Sequence, residues 1–383
     1  MKIVHLITAL QLGGAEKVAI DISKNMETAN FEVFLISIFK DQSDFSKELK
    51  KDLLKHKIKW KEFGLNKDHR IIKYIGMILS IFQIFVFILK LKPDVVHSHT
   101  DLPDFVLASV LRMLSVFSIQ PPKIVRTIHN TKLWPSRPKL GKFVEKAFKN
   151  DHVVFISIAA KNAYKQLRIQ SGIPQTVNSY FISNGVDLEK YTGYCDLKAL
   201  KKHHVNLNPN KVNLLFVGRL TEQKGFDLIF DAFHLLQPSY LNQLHLHVFG
   251  TGEQVSLLSK DYNSDLPITL YPPTSELELL YGCFDFLLMP SRYEGLPLVC
   301  LEALSSKLPV IGTNAPGLYE ALPKGWPLIS ENGSAESIGG IINQIVGKKH
   351  NHTLLVESSL NFIESNFSLK KTVKQYNELY NNI

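Results

Sequence analysis

The segment SRYEGLPLVCLEAL, residues 291–304, carries two carboxylates, Glu294 and Glu302, in an otherwise apolar stretch. It follows the run DFLLMP, which predicts a buried strand, and Pro297 suits the first turn of a helix because no backbone N–H is needed there. The free N–H groups at a helix start bind anions. Glu302 would lie about 7 Å from this helix start, measured along the helix axis. The segment therefore predicts a site for a phosphorylated ligand that also presents hydroxyl groups.

Taken alone, such glutamates more often form a buried ion pair and a solvated loop. A second segment, FVGRLTEQKGFDLI (216–229), places Gly218, Arg219 and Lys224 after a predicted strand. Two cations at a strand end would neutralise a diphosphate. The glycines of HVFGTGEQ (247–254) would let a ligand approach the backbone, although this signal is weak by itself.

The N-terminal half holds weaker candidates of the same kind. TALQLGGAEKVAI (8–20) predicts a strand, the pair Gly13 and Gly14, and a helix, without a GxGxxG or P-loop pattern. VVHSHT and VRTIHN place His97, His99 and His129 at two further strand ends. Metal binding is possible there, but no carboxylate or thiolate set accompanies the histidines.

Short apolar runs alternate with helical patterns throughout the 383 residues, which predicts βαβ units and an α/β fold. We expect two doubly wound, Rossmann-like parallel-sheet domains facing across a cleft. Their predicted ranges are 1–190, with a C-terminal helix 368–383 packing back on that domain, a linker at 191–210, and a second domain at 211–367. Predicted strands cover 2–7, 32–38, 94–99, 123–128, 152–157, 179–183, 212–218, 244–250, 267–271, 285–290 and 309–313.

Positive charge is concentrated in the first half of the chain. Residues 1–190 hold 29 Lys and Arg against 17 Asp and Glu, a net +12, and the remainder holds 15 against 18, a net −3. A basic half suits nucleic acid, anionic membrane or anionic substrates, unless it reflects a lysine-rich background composition. No interleaving of aromatic and basic residues supports nucleic acid.

The run IGMILSIFQIFVFIL (75–89) is the most apolar stretch of the chain. Its 15 residues are short of the roughly 20 that span a bilayer. We interpret it as a helix buried against the sheet; the alternative is a helix that dips into a membrane surface, flanked by Lys73, Lys90 and Lys92. The three cysteines are far apart and odd in number, so no disulfide framework is expected and a reducing compartment is favoured.

Together these motifs resemble glycosyltransferase family 4, a group of nucleotide-sugar glycosyltransferases with the two-domain GT-B architecture. GGAEKVAIDISKNM, DVVHSH, TIHN and FISNGVD are similar to landmarks of its first domain. FVGRLTEQKG, HVFGTGE and SRYEGLPLVCLEALSSKLPVIGTNAPG are similar to its donor domain. The resemblance covers nearly the whole chain. One departure is Lys307, where the family often has a glycine that would suit a helix C-terminus.

The resemblance implies a retaining transferase that uses a nucleotide-sugar as co-substrate, with no other cofactor and no metal. Arg219 and Lys224 would hold the donor diphosphate and stabilise its growing charge. Glu302 would hold the ribose hydroxyls, and Glu294 would orient the donor. The remaining residues implied in donor binding are Gly13, Gly14, Gly218, Tyr271, Pro272, Gly295, Leu298 and Val299. The acceptor-side residues would be Gly14, His99 and His129, with His129 also contacting the sugar across the cleft.

Two alternatives remain at this point, a non-hydrolysing nucleotide-sugar epimerase and a nucleotide-sugar-binding protein without transfer activity. The basic first domain and the apolar run suggest a lipid-linked or glycan acceptor in surface polysaccharide or glycolipid assembly. They also suggest a cytoplasmic protein that is peripheral on the cytoplasmic face of an anionic membrane. No nucleic-acid partner is expected.

Overall fold

The computed structural model describes residues 1–27, 29–66, 70–134, 137–148, 151–176, 178–259, 265–348 and 351–383. The chain forms two compact units. The first comprises Met1–Asn184 and Leu369–Ile383, and the second comprises Gly185–Ser368. Each unit has its own parallel sheet with helices packed on it.

The sheet of the first unit contains seven parallel strands among the described residues, in the order β3-β2-β1-β4-β5-β6-β7. The strands are β1 (Lys2–Ile7), β2 (Glu32–Ser37), β3 (Lys59–Glu62), β4 (Val95–His99), β5 (Lys123–Ile128), β6 (His152–Phe155) and β7 (Ser179–Phe181). The helices are α1 (Gly14–Asn25), α2 (Asp44–Lys55), α3 (Arg70–Leu91), α4 (Asp101–Val116), α5 (Pro138–Ala147), α6 (Ile158–Gln170) and, from the C-terminus, α13 (Leu369–Asn381).

The sheet of the second unit has the order β10-β9-β8-β11-β12-β13, again with parallel pairing. Its strands are β8 (Val212–Arg219), β9 (Leu244–Thr251), β10 (Ile268–Tyr271), β11 (Phe286–Leu288), β12 (Val310–Thr313) and β13 (Ile329–Ser330). The helices are α7 (Leu197–Lys202), α8 (Phe226–His234), α9 (Pro238–Leu241), α10 (Leu298–Ser305), α11 (Ala335–Val346) and α12 (His352–Asn366).

All eleven predicted strands are confirmed, with ends that differ by at most two residues. Two strands were not predicted, because β3 (KWKE) is a charged edge strand and β13 has only two residues. The segment expected as a linker, 191–210, lies within the second unit and contains α7. Lys307 adopts the left-handed conformation at φ 59°, as its place after α10 suggests.

The expectation of no disulfide is wrong, because Cys195 and Cys283 are bonded with their Cα atoms 4.7 Å apart. The two chain segments touch beside this bond: a Cβ built on Gly282 would lie 2.1 Å from the carbonyl oxygen of Gly193. Because the cysteines are 88 positions apart in the sequence, their spacing does not indicate this contact. The cysteine count therefore no longer supports a reducing compartment. Cys300 is buried and free, and burial raises its pKa.

The interpretation of 75–89 as a buried helix is wrong for most of its surface. One side of α3 packs on the core of the first unit through Gly76, Ser80, Ile84 and Ile88, which repeat every four residues. The opposite side, here called the apolar α3 face, is exposed and consists of Ile72, Tyr74, Ile75, Ile78, Leu79, Phe82 and Val86. By length and composition, Ile72–Leu91 could cross a membrane, and it is 22% buried.

A buried ionic cluster links β5 to three helices of the first unit. Arg126 is 1% exposed and donates to Asp104 (2.9 Å), Glu145 (2.6 Å) and Asp151 (3.1 Å). Arg168 adds a second cation 3.0 Å from Glu145. Burial raises the pKa of Asp104, although the charge of Arg126 acts in the opposite direction. The carboxylates thus depend on Arg126 for their charge balance.

Replacing Arg126 with methionine keeps much of the side-chain volume but removes the charge. We expect Arg126→Met to lower the free energy of unfolding by about 3–5 kcal/mol, because buried carboxylates lose their partner. Urea unfolding would measure this. Lys47→Met, which breaks the exposed pair between Lys47 and Asp44, serves as the control and should leave the unfolding midpoint unchanged. Equal stability of the two variants would contradict the expected role of Arg126.

Candidate functional site

The strand order of each unit reverses direction once. In the second unit the chain runs from β8 outward through β9 and β10, then crosses back to β11 and continues outward on the other side. Connections therefore leave β8 and β11 toward opposite faces, which opens a crevice at their carboxyl ends where ligands bind in such folds. Arg219 ends β8, and the SRYEG loop follows β11.

This crevice brings Lys224 and Glu294 together. The Lys224 Nζ lies 2.6 Å from Glu294 Oε1, and the Ser291 hydroxyl donates to the same oxygen at 2.7 Å. Thr313, at the end of β12, donates to the carbonyl oxygen of Ser291 at 2.7 Å and fixes the loop. Glu294 is 5% exposed. The predicted cation and carboxylate therefore form one partly buried pair at the end of the sheet.

Two glycines allow the loops around this pair to approach each other. Gly225 follows Lys224 in the left-handed conformation (φ 67°), and a Cβ there would lie 2.0 Å from the carbonyl oxygen of Pro290. Gly317 (φ 77°) lies equally close to the backbone of Glu294, whose carbonyl oxygen would be 2.2 Å from an added Cβ. Side chains at these two positions would force apart the segments that carry Lys224 and Glu294.

The N-terminus of α10 lies four residues after Glu294. Pro297 is the N-cap residue, so the helix begins at Leu298, one residue later than its Pro297 suggests. Gly295 and Leu298 are buried and Val299 is partly exposed. No side chain caps this helix start, so the first N–H groups of α10, among them those of Leu298 and Val299, have no partner within the helix.

Glu302 lies on the buried side of α10 and is 4% exposed. The Tyr281 hydroxyl donates to its Oε2 at 2.9 Å. Burial, together with the nearby charge of Glu302, raises the pKa of Tyr281 well above its usual value. Tyr281 is thus a neutral donor that holds the carboxylate in place, and no sequence motif marks it as a partner of Glu302.

The other predicted donor-site residues are distributed along the same edge. Arg219 is exposed and donates to Gln223 at 3.1 Å, and Gly218 precedes it with φ 147°. Tyr271 ends β10, where it is buried and stacks on Phe249, and Pro272 is exposed. Parallel pairing places all these strand ends at one edge of the sheet.

In the first unit the corresponding crevice lies between β1 and β4. Gly13 is the N-cap of α1 in an extended conformation, and Gly14 is its first residue. A Cβ on Gly14 would meet nothing within 4 Å. The space beside Gly14 is therefore open, whereas the Glu16 carboxylate lies against Gly13.

Imidazole rings form a hydrogen-bonded row from His5 within β1, through His99 at the end of β4, to His129 just after β5. His5 Nδ1 lies 3.0 Å from His99 Nε2, and His99 Nδ1 lies 3.1 Å from His129 Nε2. His97 bonds Tyr380 of α13 through Nδ1 (2.6 Å) and Thr127 through Nε2 (2.7 Å). His99 is 1% exposed, so it reaches a ligand only through His129, which is partly exposed.

Burial keeps these histidines neutral. It lowers the pKa of His5 and of His129 to about 3 and the pKa of His97 and of His99 well below the usual value. Neutral imidazoles could ligate a metal, and ligand atoms of His5, His97 and His99 lie within 4.8 Å of one another. However, both nitrogens of His97 and of His99 already have hydrogen-bond partners. The arrangement is that of a hydrogen-bonded network.

A cavity of about 220 Å³ opens beside His129. Its polar lining consists of Thr100, Asp101, Asp104, Thr127, His129 and Asn130. Burial, and then the charge of Asp104, raises the pKa of Asp101 to about 6. Sequence reasoning missed Asp101; the signal available for it was its position, two residues after His99 at the start of a helix.

Comparisons with known proteins cover nearly all of the chain. Residues 12–190 match the family model described as Glycosyltransferase Family 4, and residues 198–366 match Glycosyl transferases group 1. Two curated relatives are UDP-Gal:alpha-D-GlcNAc-diphosphoundecaprenol alpha-1,3-galactosyltransferase of Escherichia coli and the capsular polysaccharide biosynthesis glycosyltransferase CapM of Staphylococcus aureus. The former is 25% identical over 99% of this chain and 96% of its own; the latter is 23% identical over 79% and 80%.

Among solved structures, HepE of Anabaena in complex with UDP-glucose covers the whole of both chains at a TM-score of 0.79 and 18% identity. This likeness shows the fold, two parallel-sheet α/β domains of the GT-B type. The two family models and the named relatives agree with the resemblance in the motifs and favour transfer over the epimerase and binding-protein alternatives. The chain is a glycosyltransferase of family 4 with the GT-B fold.

Proposed function

We propose that this glycosyltransferase moves a sugar from a nucleotide-sugar to a lipid-linked or growing surface glycan, with retention at the anomeric carbon. The observation that carries the proposal is the pair of Lys224 and Glu294 at the β8–β11 crevice, beside the start of α10. A cation and free N–H groups suit a diphosphate, and buried carboxylates suit hydroxyl groups. The relatives support the same substrate classes: the Escherichia coli enzyme is named as a galactosyltransferase that acts on UDP-Gal and alpha-D-GlcNAc-diphosphoundecaprenol.

The chemistry proposed for this site is stabilisation of the leaving group. As the bond between sugar and diphosphate breaks, negative charge grows on the diphosphate, and Lys224, Arg219 and the start of α10 would stabilise it. Glu294 would orient Lys224 and the donor sugar, and Glu302 would accept the ribose hydroxyls. The backbone at Tyr271 and Pro272 would contact the base. These cations would take the place of a metal, and we name no enzymic nucleophile.

In the first unit, Gly13 and Gly14 would lie beside the phosphates, and His129 would contact the transferred sugar. His99 would act on the acceptor side. This assignment rests on the crevice between β1 and β4, where these residues end neighbouring strands or begin the following helix.

The apolar α3 face supports a position on the membrane surface. Its exposed side chains adjoin Lys73, Lys90 and Lys92, all exposed, in a half of the chain with net charge +12. Apolar side chains inserted at the lipid boundary, with lysines beside them, suit anionic lipid. We infer a peripheral protein on the cytoplasmic leaflet, where such lipids are enriched, with access to a lipid-linked acceptor.

Donor binding can be measured by thermal shift with UDP-, GDP-, ADP- and TDP-sugars and the free diphosphates. A ligand that binds only the folded protein raises the melting temperature. We expect a rise with the nucleotides of one base only, and we expect that base to be uracil, as in UDP and the UDP-sugars. Glu302→Gln should reduce that rise because the amide accepts ribose hydroxyls less strongly. A control, Lys324→Ala, changes an exposed lysine of the second unit. No rise with any nucleotide at millimolar concentration would contradict the donor site.

Lys224→Gln tests the leaving-group role. Glutamine can still donate to Glu294, so the fold should survive, but the charge is lost. We expect kcat to fall about 10²- to 10³-fold, the range typical of a lost transition-state donor. The measurement is transfer to a lipid-linked acceptor, with and without EDTA. Wild-type rates for Lys224→Gln would overturn the assignment of Lys224, and loss of wild-type activity with EDTA would overturn the metal-free proposal.

Membrane attachment can be tested by co-sedimentation with vesicles at low salt. We expect binding to phosphatidylglycerol vesicles and weaker binding to phosphatidylcholine. Ile78→Glu with Phe82→Glu should reduce pelleting because two charges would enter the lipid boundary. Leu354→Glu is a matched control, since Leu354 is 61% exposed on α12 of the second unit. The membrane proposal fails if the wild-type protein does not pellet, or if the control loses as much binding as the double variant.

A further inference from the structure

The row of imidazoles in the first unit has a property that the proposed function does not use. His99 contacts both neighbours, His5 through Nε2 and His129 through Nδ1. A neutral imidazole has one N–H donor and one bare nitrogen. If one nitrogen of His99 donates, the other must accept. The directions of the two hydrogen bonds are therefore linked.

We propose that His5 and His99 are positioning residues that fix the tautomer and ring orientation of His129. This inference rests on the proposed function, in which His129 contacts the sugar. With Nε2 occupied by His99, Nδ1 is the nitrogen of His129 left for a hydroxyl group at the cavity. Which role Nδ1 takes, donor or acceptor, is set by the row behind it.

Two features of the surroundings support a fixed arrangement. The inner part of the row is buried, because His5 and His99 are at most 1% exposed, so bulk solvent does not compete for their ring nitrogens. His97 packs against the row with its ring centroid 4.0 Å from that of His99, and is held by Tyr380 and Thr127. His97 thus limits how far His99 can turn.

The His5 end of the row also restrains the direction in which its hydrogen bonds run. Nε2 of His5 is buried and has no hydrogen-bond partner among the described residues. An N–H donor is rarely left without a hydrogen-bond partner in a protein interior, whereas an unpaired acceptor is better tolerated. The favoured direction therefore leaves the lone pair of His5 unpaired, and each ring donates through Nδ1 toward the cavity. His129 would present Nδ1–H to a hydroxyl oxygen of the sugar.

Protonation does not disturb this direction near neutral pH. The low pKa values mean that the folded protein takes up a proton on His5 or His129 only near pH 3. The groups that face the row are the neutral side chains of His97, Tyr376, Tyr380 and Thr127, with Asp101 at the cavity. Of these groups only Asp101, with its pKa raised to about 6, changes charge near neutral pH, so the tautomer of His129 should be constant above that pH.

Two amide substitutions of His99 separate its two contacts. In asparagine the amide lies near the position of Nδ1 and can still bond His129, whereas in glutamine it lies near Nε2 and keeps only the contact with His5. We expect His99→Gln to lose about 10- to 100-fold more activity than His99→Asn, the usual effect of losing a partner that orients a functional histidine. Both variants are neutral amides, and the smaller asparagine leaves the larger cavity, so loss of packing would favour glutamine and cannot explain a larger loss in His99→Gln.

The direct readout is long-range ¹H–¹⁵N correlation of histidine-labelled full-length protein, with His129 assigned by His129→Gln. We expect a protonated Nδ1 and a bare Nε2 in the wild type and in His99→Asn, and averaged nitrogen signals in His99→Gln. A protonated Nε2 or averaged signals in the wild type would overturn the proposal, as would equal activity of the two His99 variants. Full activity of His129→Ala would instead refute the role of His129 in the proposed function, with the tautomer result standing by itself.

Discussion

The reversal of strand order in each sheet is the constraint on which the rest of the structure depends. Because connections leave β8 and β11 toward opposite faces, no helix covers the crevice between their carboxyl ends. The charged residues proposed to bind the donor diphosphate and sugar lie there: Arg219 and Lys224 at and after the end of β8, Glu294 after β11. The same order in the first unit opens the crevice between β1 and β4 to Gly14 and the histidine row. Topology thus creates the sites, and local sequence supplies their chemistry.

This division explains why so much of the fold could be predicted, and why two residues proposed for one site, Lys224 and Glu294, do lie together. Strands buried on both faces are continuous apolar runs, and the residues that matter follow them directly. Lys224 and Glu294 are 70 residues apart, yet each is marked locally by a strand, a glycine and a helix start. Parallel strands place their carboxyl ends at one edge, so two local patterns suffice to predict that the residues meet.

Contacts without such a local pattern could not be predicted. Tyr281 holds Glu302 from a loop with no recognisable motif, and the Cys195–Cys283 bond depends on how a chain segment before α7 folds back. The exposure of α3 was misjudged for a different reason. Apolar side chains lie on all sides of α3. Composition alone cannot distinguish such a helix covered by protein from one with a face exposed to lipid. Only packing against the sheet identifies the buried side.

Glu294 and Lys224 are both largely buried, and each is the other's charged partner within the crevice. With its Oε1 2.6 Å from the Lys224 Nζ, Glu294 holds the lysine side chain in one orientation. In the proposed donor complex, a bound diphosphate would use the remaining N–H groups of Lys224. Ser291 donates to the same carboxylate oxygen, so Glu294 would stay hydrogen-bonded if the lysine turned toward phosphate. On that proposal, the carboxylate in the loop orients the cation before the donor binds.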